Sequence, residues 1–411
     1  MKGALRMAFD VNLISHCLHC KNARCQAACP IHTNIPKIIQ LVQNGQVDEA
    51  QQRLFDHNFF SAVCALVCDH SRQCFGHCIL NFKKDPVPFF QLEQALSLEY
   101  LNHYKPLVKS SNGKTIAIIG AGPAGMSLAF KLASNGYTLD LFDRHDHMGG
   151  VLRYGIPDFR LDKSIIDCYE QIIDDCGVHF YGQTNVTGDM VKTIRSTHDA
   201  IIFANGAWIA RTLGQGDELP FVYSALDVLE NHINFDPNQS IIVLGGGNVA
   251  MDAVRHCHRT SANTTLYYRK QIADMPANPD EIKAVQDEGI RIIELAAPVK
   301  FVDTPENGIV FAKGETLIDE NGKKYTHMIE NSEYFVPCDI AVSAISQQVD
   351  DTLWKAMDLT INKDGSTNDR KVYIIGDALL RPATVVEAVN SVNQILPYFN
   401  DPNHIGTKED M

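Results

Sequence analysis

TIAIIGAGPAGMSLAFKLASNGYTLDLFD, residues 115–143, is the stretch on which the fold turns. The apolar run TIAII stops in glycines, a helical period follows, and LDLF forms a second apolar run before Asp143. The expected order is therefore strand, glycine turn, helix, strand. Gly120, Gly122 and Gly125 spell GxGxxG: the first permits a tight turn, the second lets backbone approach a pyrophosphate, and the third lets the helix pack closely. The N–H groups at the start of such a helix bind anions. Asp143 ends the second strand, where a carboxylate holds the ribose hydroxyls of a dinucleotide.

A second unit of the same kind begins at Ser240, SIIVLGGGNVAMDAVRHCHRTSANTTLYYRK. Its loop, Gly245, Gly246, Gly247, Asn248, Val249 and Ala250, carries alanine as the third small residue, an accepted variant of the fingerprint. Its second strand runs into Arg269 and Lys270, with no carboxylate where an NAD site places one. Two cations there suit the 2′-phosphate of NADPH, which arginine binds in a bidentate manner, so NADPH is expected over NADH. Two glycine units in one chain imply two nucleotides on two doubly wound parallel sheets. The first unit continues into HMGGVLRYGIPDFRL, where Gly149 and Gly150 offer another close backbone approach, and FAD is the nucleotide expected there. The tail from Val372, with Gly376 and Asp377 in GDA, reads as a strand and helix returning to the first sheet.

Working toward the N-terminus, KSSNGK at Lys109–Lys114 reads as a linker. Before it, eight of the twelve cysteines lie between Cys17 and Cys78, as Cys17-x2-Cys20-x4-Cys25-x3-Cys29-Pro30 and Cys64-x3-Cys68-x5-Cys74-x3-Cys78. A helical stretch, IPKIIQLVQNGQVDEAQQRLF, separates the two groups. Eight thiols suffice for two four-ligand iron-sulfur clusters, and a cysteine before proline ligates the other cluster in ferredoxin-type runs. Zinc knuckles use CxxC as well, so a zinc-stabilised flavin reductase is the competing reading. A redox sensor that binds the cofactors without turnover is another. The remaining cysteines, Cys168 and Cys176 among them, read as small buried apolar residues.

The expected division is a helical cluster domain at 1–110, a flavin domain at 113–238 resumed at 346–411, and a nicotinamide domain at 239–345. The chain has 411 residues, is 45% hydrophobic and carries a formal net charge of −13. That charge disfavours nucleic acid and anionic membrane. No apolar run of about 18 residues occurs, and MKGALRMAFDVNLISH lacks the apolar core of a secretory signal. A cytoplasmic protein with no membrane segment is expected. Nicotinamide delivers two electrons as hydride, an iron-sulfur centre accepts one, and a flavin does either, which explains the combination. Such hydride transfer needs positioning more than an acid or base, and no side chain is expected to act as a catalytic residue.

CLHCKNARCQAACP, CDHSRQCFGHC, GAGPAGM, GGVLRYGIPDFRL, GGGNVAMD, YYRK and GDALLRPATVVEAVN together resemble the small subunit of bacterial glutamate synthase and the N-terminal half of dihydropyrimidine dehydrogenase. The resemblance runs along nearly the whole chain. It implies an NAD(P)H-dependent FAD and iron-sulfur oxidoreductase serving as an electron-input module for a separate partner subunit or acceptor protein, with the oligomeric state left open. It implies crossed ligation, with Cys17, Cys20, Cys25 and Cys78 on one [4Fe-4S] cluster and Cys29, Cys68 and Cys74 on the other. The eighth ligand would come from LEQ, Glu93 first and Gln94 second, and Cys64 would be a non-ligand although its spacing nominates it. At the FAD site the resemblance adds Pro123, Ala124, Arg144, Leu152, Arg153, Ile156 and Arg160, puts Gly376 and Asp377 on the ribityl-phosphate side, and places the flavin near Thr384, Val385 and Glu387. One departure is Ser346 in AISQ, where relatives commonly show glycine.

Overall fold

The computed structural model describes residues 9–322, 324–402 and 405. These divide into two compact units: one holds the chain up to Arg153, Asp158–Ala207 and the chain from Val349, and the other holds Tyr154–Pro157 and Trp208–Gln348.

In the first unit, a five-stranded sheet places Thr115–Ile119 at its centre, between Ala200–Phe203 and Thr138–Phe142, with Val372–Ile374 and His179–Tyr181 at the edges. Every pairing is parallel, with Ile118 opposite both Leu141 and Ile202. Ile116, Ala117, Ile118 and Ile119 are all buried, as strands covered on both faces require. The helix Pro123–Ser134 follows the glycine turn, with proline in its first turn, where a missing N–H costs nothing.

The N-terminal part of this unit is helical. Ile35–Gln43 turns Ile35, Ile38, Ile39, Leu41 and Val42 inward at helical spacing. Val47–His57, Ser61–Val67 and Phe89–Leu101 complete the packing. Aromatic rings join this part to the glycine-turn helix: Phe59 stacks on Phe130 at 4.4 Å, and Phe59 and Phe60 both meet Tyr169 from the helix Lys163–Asp175.

The second unit repeats the plan. Ile241–Leu244 is central, between Ile340–Ser343 and Thr264–Tyr267, with Val222–Ser224 and Arg291–Ile293 outside, again all parallel. A four-stranded antiparallel sheet, built from Ala296–Val302, Gly308–Ile318, Lys324–Met328 and Tyr334–Pro337, belongs to the same unit. Trp208–Asn238, assigned on sequence to the first flavin segment, lies in this second unit because Val222–Ser224 pairs with Ile340–Ser343. That pairing joins segments more than a hundred residues apart, which no local pattern announces.

Candidate functional site

At the first glycine turn, Gly120 has φ +107, and a Cβ there would lie 2.4 Å from the Ala204 carbonyl oxygen, so only glycine passes. A Cβ on Gly125 would fall 1.9 Å from the Gly120 oxygen, which lets the helix sit directly on the strand. Gly122 caps the helix without a side-chain hydrogen bond, and that leaves first-turn N–H groups available to an anion. Pro123 and Ala124 form the buried first turn behind it.

Asp143 sits beside this turn. Its Oδ2 accepts from the Ala121 N–H at 2.7 Å, and its Oδ1 accepts from the His145 backbone N–H and meets His145 Nδ1 at 2.8 Å. The carboxylate thus holds the loop in place, and Arg144 beside it is exposed. The Gly149 N–H donates to the Ala121 carbonyl, and a Cβ on Gly150 would lie 2.7 Å from the Gly122 Cα, so both glycine pairs form one cradle. Leu152 is fully buried. Arg153 is committed elsewhere: its guanidinium donates to the Met148 carbonyl at 2.7 Å and pairs with Glu170 and Asp167 at 2.8 Å each. Arg160 is partly buried, and Ile156 groups with the second unit.

The returning tail closes the same cradle. Gly376 has φ +63, and its N–H donates to Ser391 Oγ at 2.8 Å, while an added Cβ would lie 2.9 Å from Ala124 Cβ. Ser391, a lone hydroxyl in mid-helix, carried no signal in sequence. Burial, against a hydrogen bond from the Ala383 N–H and reinforced by the Glu387 charge, pushes the Asp377 carboxyl up to about 7. Thr384 caps the helix Val385–Ile395 in a reciprocal box with Glu387, whose Oε2 accepts from the Thr384 N–H at 2.8 Å.

In the second unit, Gly245 has φ +144, with the Ala344 oxygen 2.4 Å from a would-be Cβ. Gly246 lies flat against the Tyr268 ring, whose atoms begin 2.4 Å from such a Cβ, and the Tyr268 hydroxyl donates to the Asp274 carbonyl. Gly247 caps the helix Asn248–Thr260 without a side-chain hydrogen bond, and its first turn presents Asn248, Val249 and the buried Ala250. Asn248 Oδ1 accepts from the Asn278 N–H at 2.8 Å. Arg269 is exposed and Lys270 half-buried just past the strand end. Ser346 adopts φ +146, so serine occupies a backbone region that favours glycine, and its carbonyl accepts from the Arg211 N–H.

The clustered cysteines line two cavities. The first, of about 90 Å³, is walled by Cys17, Cys20, Cys25, Cys78 and Cys74, with Ile35 and Phe89 between them. The second, of about 20 Å³, is walled by Cys29, Cys64, Cys68, Cys74 and Glu93, and reaches Val386. Cys74, Ile35 and Phe89 border both. No three or more His, Cys, Asp or Glu side chains among the described residues are drawn together tightly enough for a single metal ion.

Burial pushes up the thiols of Cys25, to about 11, and of Cys17, Cys29 and Cys74. Glu93, on the helix Phe89–Leu101, is held far above the carboxylate range by burial, with the Cys64 charge adding to it. These groups fit an iron-sulfur centre, because bound cations replace the water that burial removed and turn buried thiols into thiolate ligands. Val386 is the wall residue that spacing could not have nominated, since it stands over three hundred residues from the cysteines.

Two family models match the chain: "Dihydropyrimidine dehydrogenase domain II, 4Fe-4S cluster" over residues 10–103, and "Pyridine nucleotide-disulphide oxidoreductase" over 114–391. The chain is 30% identical to the glutamate synthase [NADPH] small chain of Halomonas elongata, over 91% of this chain and 86% of that one. It is 29% identical to the same small chain of Azospirillum brasilense, over 91% and 85%. It is 28% identical to the NADPH-Fe(3+) oxidoreductase subunit beta of Geobacter sulfurreducens, over 90% of this chain and 62% of that one. In fold it is similar to Mycobacterium tuberculosis FprA in complex with NADPH, with TM-score 0.59 and 17% identity over 72% of this chain and 87% of that one.

Proposed function

This chain belongs to the family of glutamate synthase small chains, in which a 4Fe-4S domain precedes a pyridine nucleotide-disulphide oxidoreductase, and from that premise we propose that it is an electron-input subunit. It is an NAD(P)H-dependent flavin oxidoreductase of iron-sulfur type. When bound, a nicotinamide would supply hydride, a flavin would convert between two-electron and one-electron chemistry, and two iron-sulfur clusters held by the N-terminal cysteines would accept single electrons.

The observation that carries the reading is that the two thiol cavities are neighbours with shared walls. The second cavity touches Val386, one residue into the helix that Thr384 caps, and shares Cys74, Ile35 and Phe89 with the first. Cys29, Cys68, Cys74 and Glu93 would hold the centre nearer the flavin, and Cys17, Cys20, Cys25 and Cys78 the one farther out. Gly120, Gly122, Gly125, Asp143, Gly149, Gly150, Gly376 and Asp377 would cradle FAD. Thr384 and Val385 would aim the positive end of a helix at the isoalloxazine ring. Gly245–Ala250 would take the NADPH pyrophosphate, with Arg269 and Lys270 on its 2′-phosphate.

Relatives named as small chains and as a subunit beta support a separate partner that reduces the final substrate. Protein purified without oxygen should contain about eight iron, eight sulfide and one FAD per chain, and NADPH should bleach its visible spectrum. Zinc without sulfide would turn the N-terminal part into a structural clip and sink the proposal.

A further inference from the structure

The first thiol cavity opens beside apolar side chains that folding has left in water. Leu18 and Ile79, which line it, are 61% and 39% exposed. Phe82 is 79% exposed, on the short 3-10 helix Ile79–Lys83 that begins directly after Cys78. The Arg24 guanidinium lies 5.5 Å above its ring, which fixes both without covering the face.

The charge around this mouth runs against the rest of the molecule. Segments 9–30 and 78–85 bring Lys21, Arg24, Lys83 and Lys84, and their only acids are Asp10 and Asp85, in a chain of net charge −13. Asp10 accepts from the Asn12 N–H and Asp85 faces His16 at 3.7 Å; these two acids are exposed, and so are all four cations, Lys21, Arg24, Lys83 and Lys84, which outnumber them. An apolar centre with a basic rim is the pattern of a docking face for a partner of opposite charge.

We propose that this face, around Leu18, Ile79 and Phe82, docks an acidic one-electron redox protein. The inference rests on the electron-input reading, and it names the end of the chain where electrons leave. The second cavity reaches Val386, in the helix proposed to face the flavin, so on the electron-input reading the first cavity would be the outer station. The balance is one NADPH oxidised to NADP+ with release of one proton, while two acceptor centres each gain one electron in separate encounters. Basic side chains steer the acceptor in, and the exposed Leu18, Ile79 and Phe82 side chains exclude water where the two centres approach.

The test uses the full chain with its cofactors and two soluble probes: rubredoxin, acidic, and cytochrome c, basic, each reduced by one electron at iron. NADPH-driven rubredoxin reduction should slow as salt rises, and Lys83→Glu with Lys84→Glu should raise its KM about tenfold while improving cytochrome c as acceptor. Phe82→Ser should raise the rubredoxin KM without changing reduction of ferricyanide, a small acceptor that needs no docking face. An unchanged rubredoxin KM in the double reversal, or a wild type that reduces cytochrome c alone, overturns the proposal. So does a sedimentation measurement in which Phe82→Ser converts an oligomer to a monomer, because the face would then belong to a second copy. Low-temperature EPR of the NADPH-treated protein reports cluster reduction separately: no signal there defeats the electron-input reading and this proposal together, whereas a normal signal with a charge-blind KM defeats the docking face alone.

Discussion

Cys64 and Cys68 stand four residues apart at the end of the helix Ser61–Val67, with their sulfurs in hydrogen-bond contact. Spacing alone makes both ligands. Their surroundings distinguish them only in part, since both reach the second cavity and Glu93 does too. The crossed scheme has a sharp consequence: Cys20→Ala should halve the iron content, and Cys64→Ala should leave it intact, as measured by iron and sulfide analysis on oxygen-free protein. Iron halved in the second variant would transfer the eighth ligand from Glu93 to Cys64. At the other nucleotide, Arg269 is exposed past the strand end, so its removal costs little folding energy. Arg269→Ala should weaken NADPH binding about tenfold, roughly one charge-assisted pair, and leave NADH nearly unchanged in fluorescence titration. Equal losses for both would remove the case for a 2′-phosphate site. Ser346 was visible in sequence only as a departure from glycine; its φ of +146 shows that the backbone path keeps to the glycine region and the serine bears the strain.

Among elements, the junction between the helices Val47–His57 and Pro123–Ser134 is aromatic. Phe55 and Phe59 both face Phe130, and Tyr100 and Tyr104 flank Phe55. Phe59 is fully buried, so Phe59→Ala leaves a cavity against both Phe130 and Tyr169 and should cost about 3–5 kcal/mol in denaturant unfolding. A loss below about 1 kcal/mol would mean the junction closes around the gap and that ring packing does not fix it. The glycine turns themselves were legible, because GxGxxG after an apolar strand describes one geometry and few others. The junction was not, because the apolar residues at Phe59, Phe60 and Phe130 carry no sign of which surface they will meet.

For the whole molecule, two compact units with separate cores predict two unfolding transitions in calorimetry. NADP+ at about a hundred times its Kd should stabilise the unit holding Gly245–Ala250 by about 2.7 kcal/mol, shifting that transition first. A single transition moving as one would show the units to be thermodynamically coupled. Local sequence was enough for the strand, glycine turn, helix, strand unit at the heart of each sheet, for both glycine loops and for a cysteine-rich helical start. Those features depend on neighbours within about thirty residues, where period, turn chemistry and spacing are written directly. Only the packed chain showed that Cys64 and Val386 border the same space as Cys29, Cys68, Cys74 and Glu93, and that Ser391 braces Gly376. It also decided that Trp208–Asn238 joins the second unit and that Arg153 is taken by Glu170 and Asp167. Contacts between distant segments are settled by which buried surfaces fit together, and that competition has no local signature in the chain.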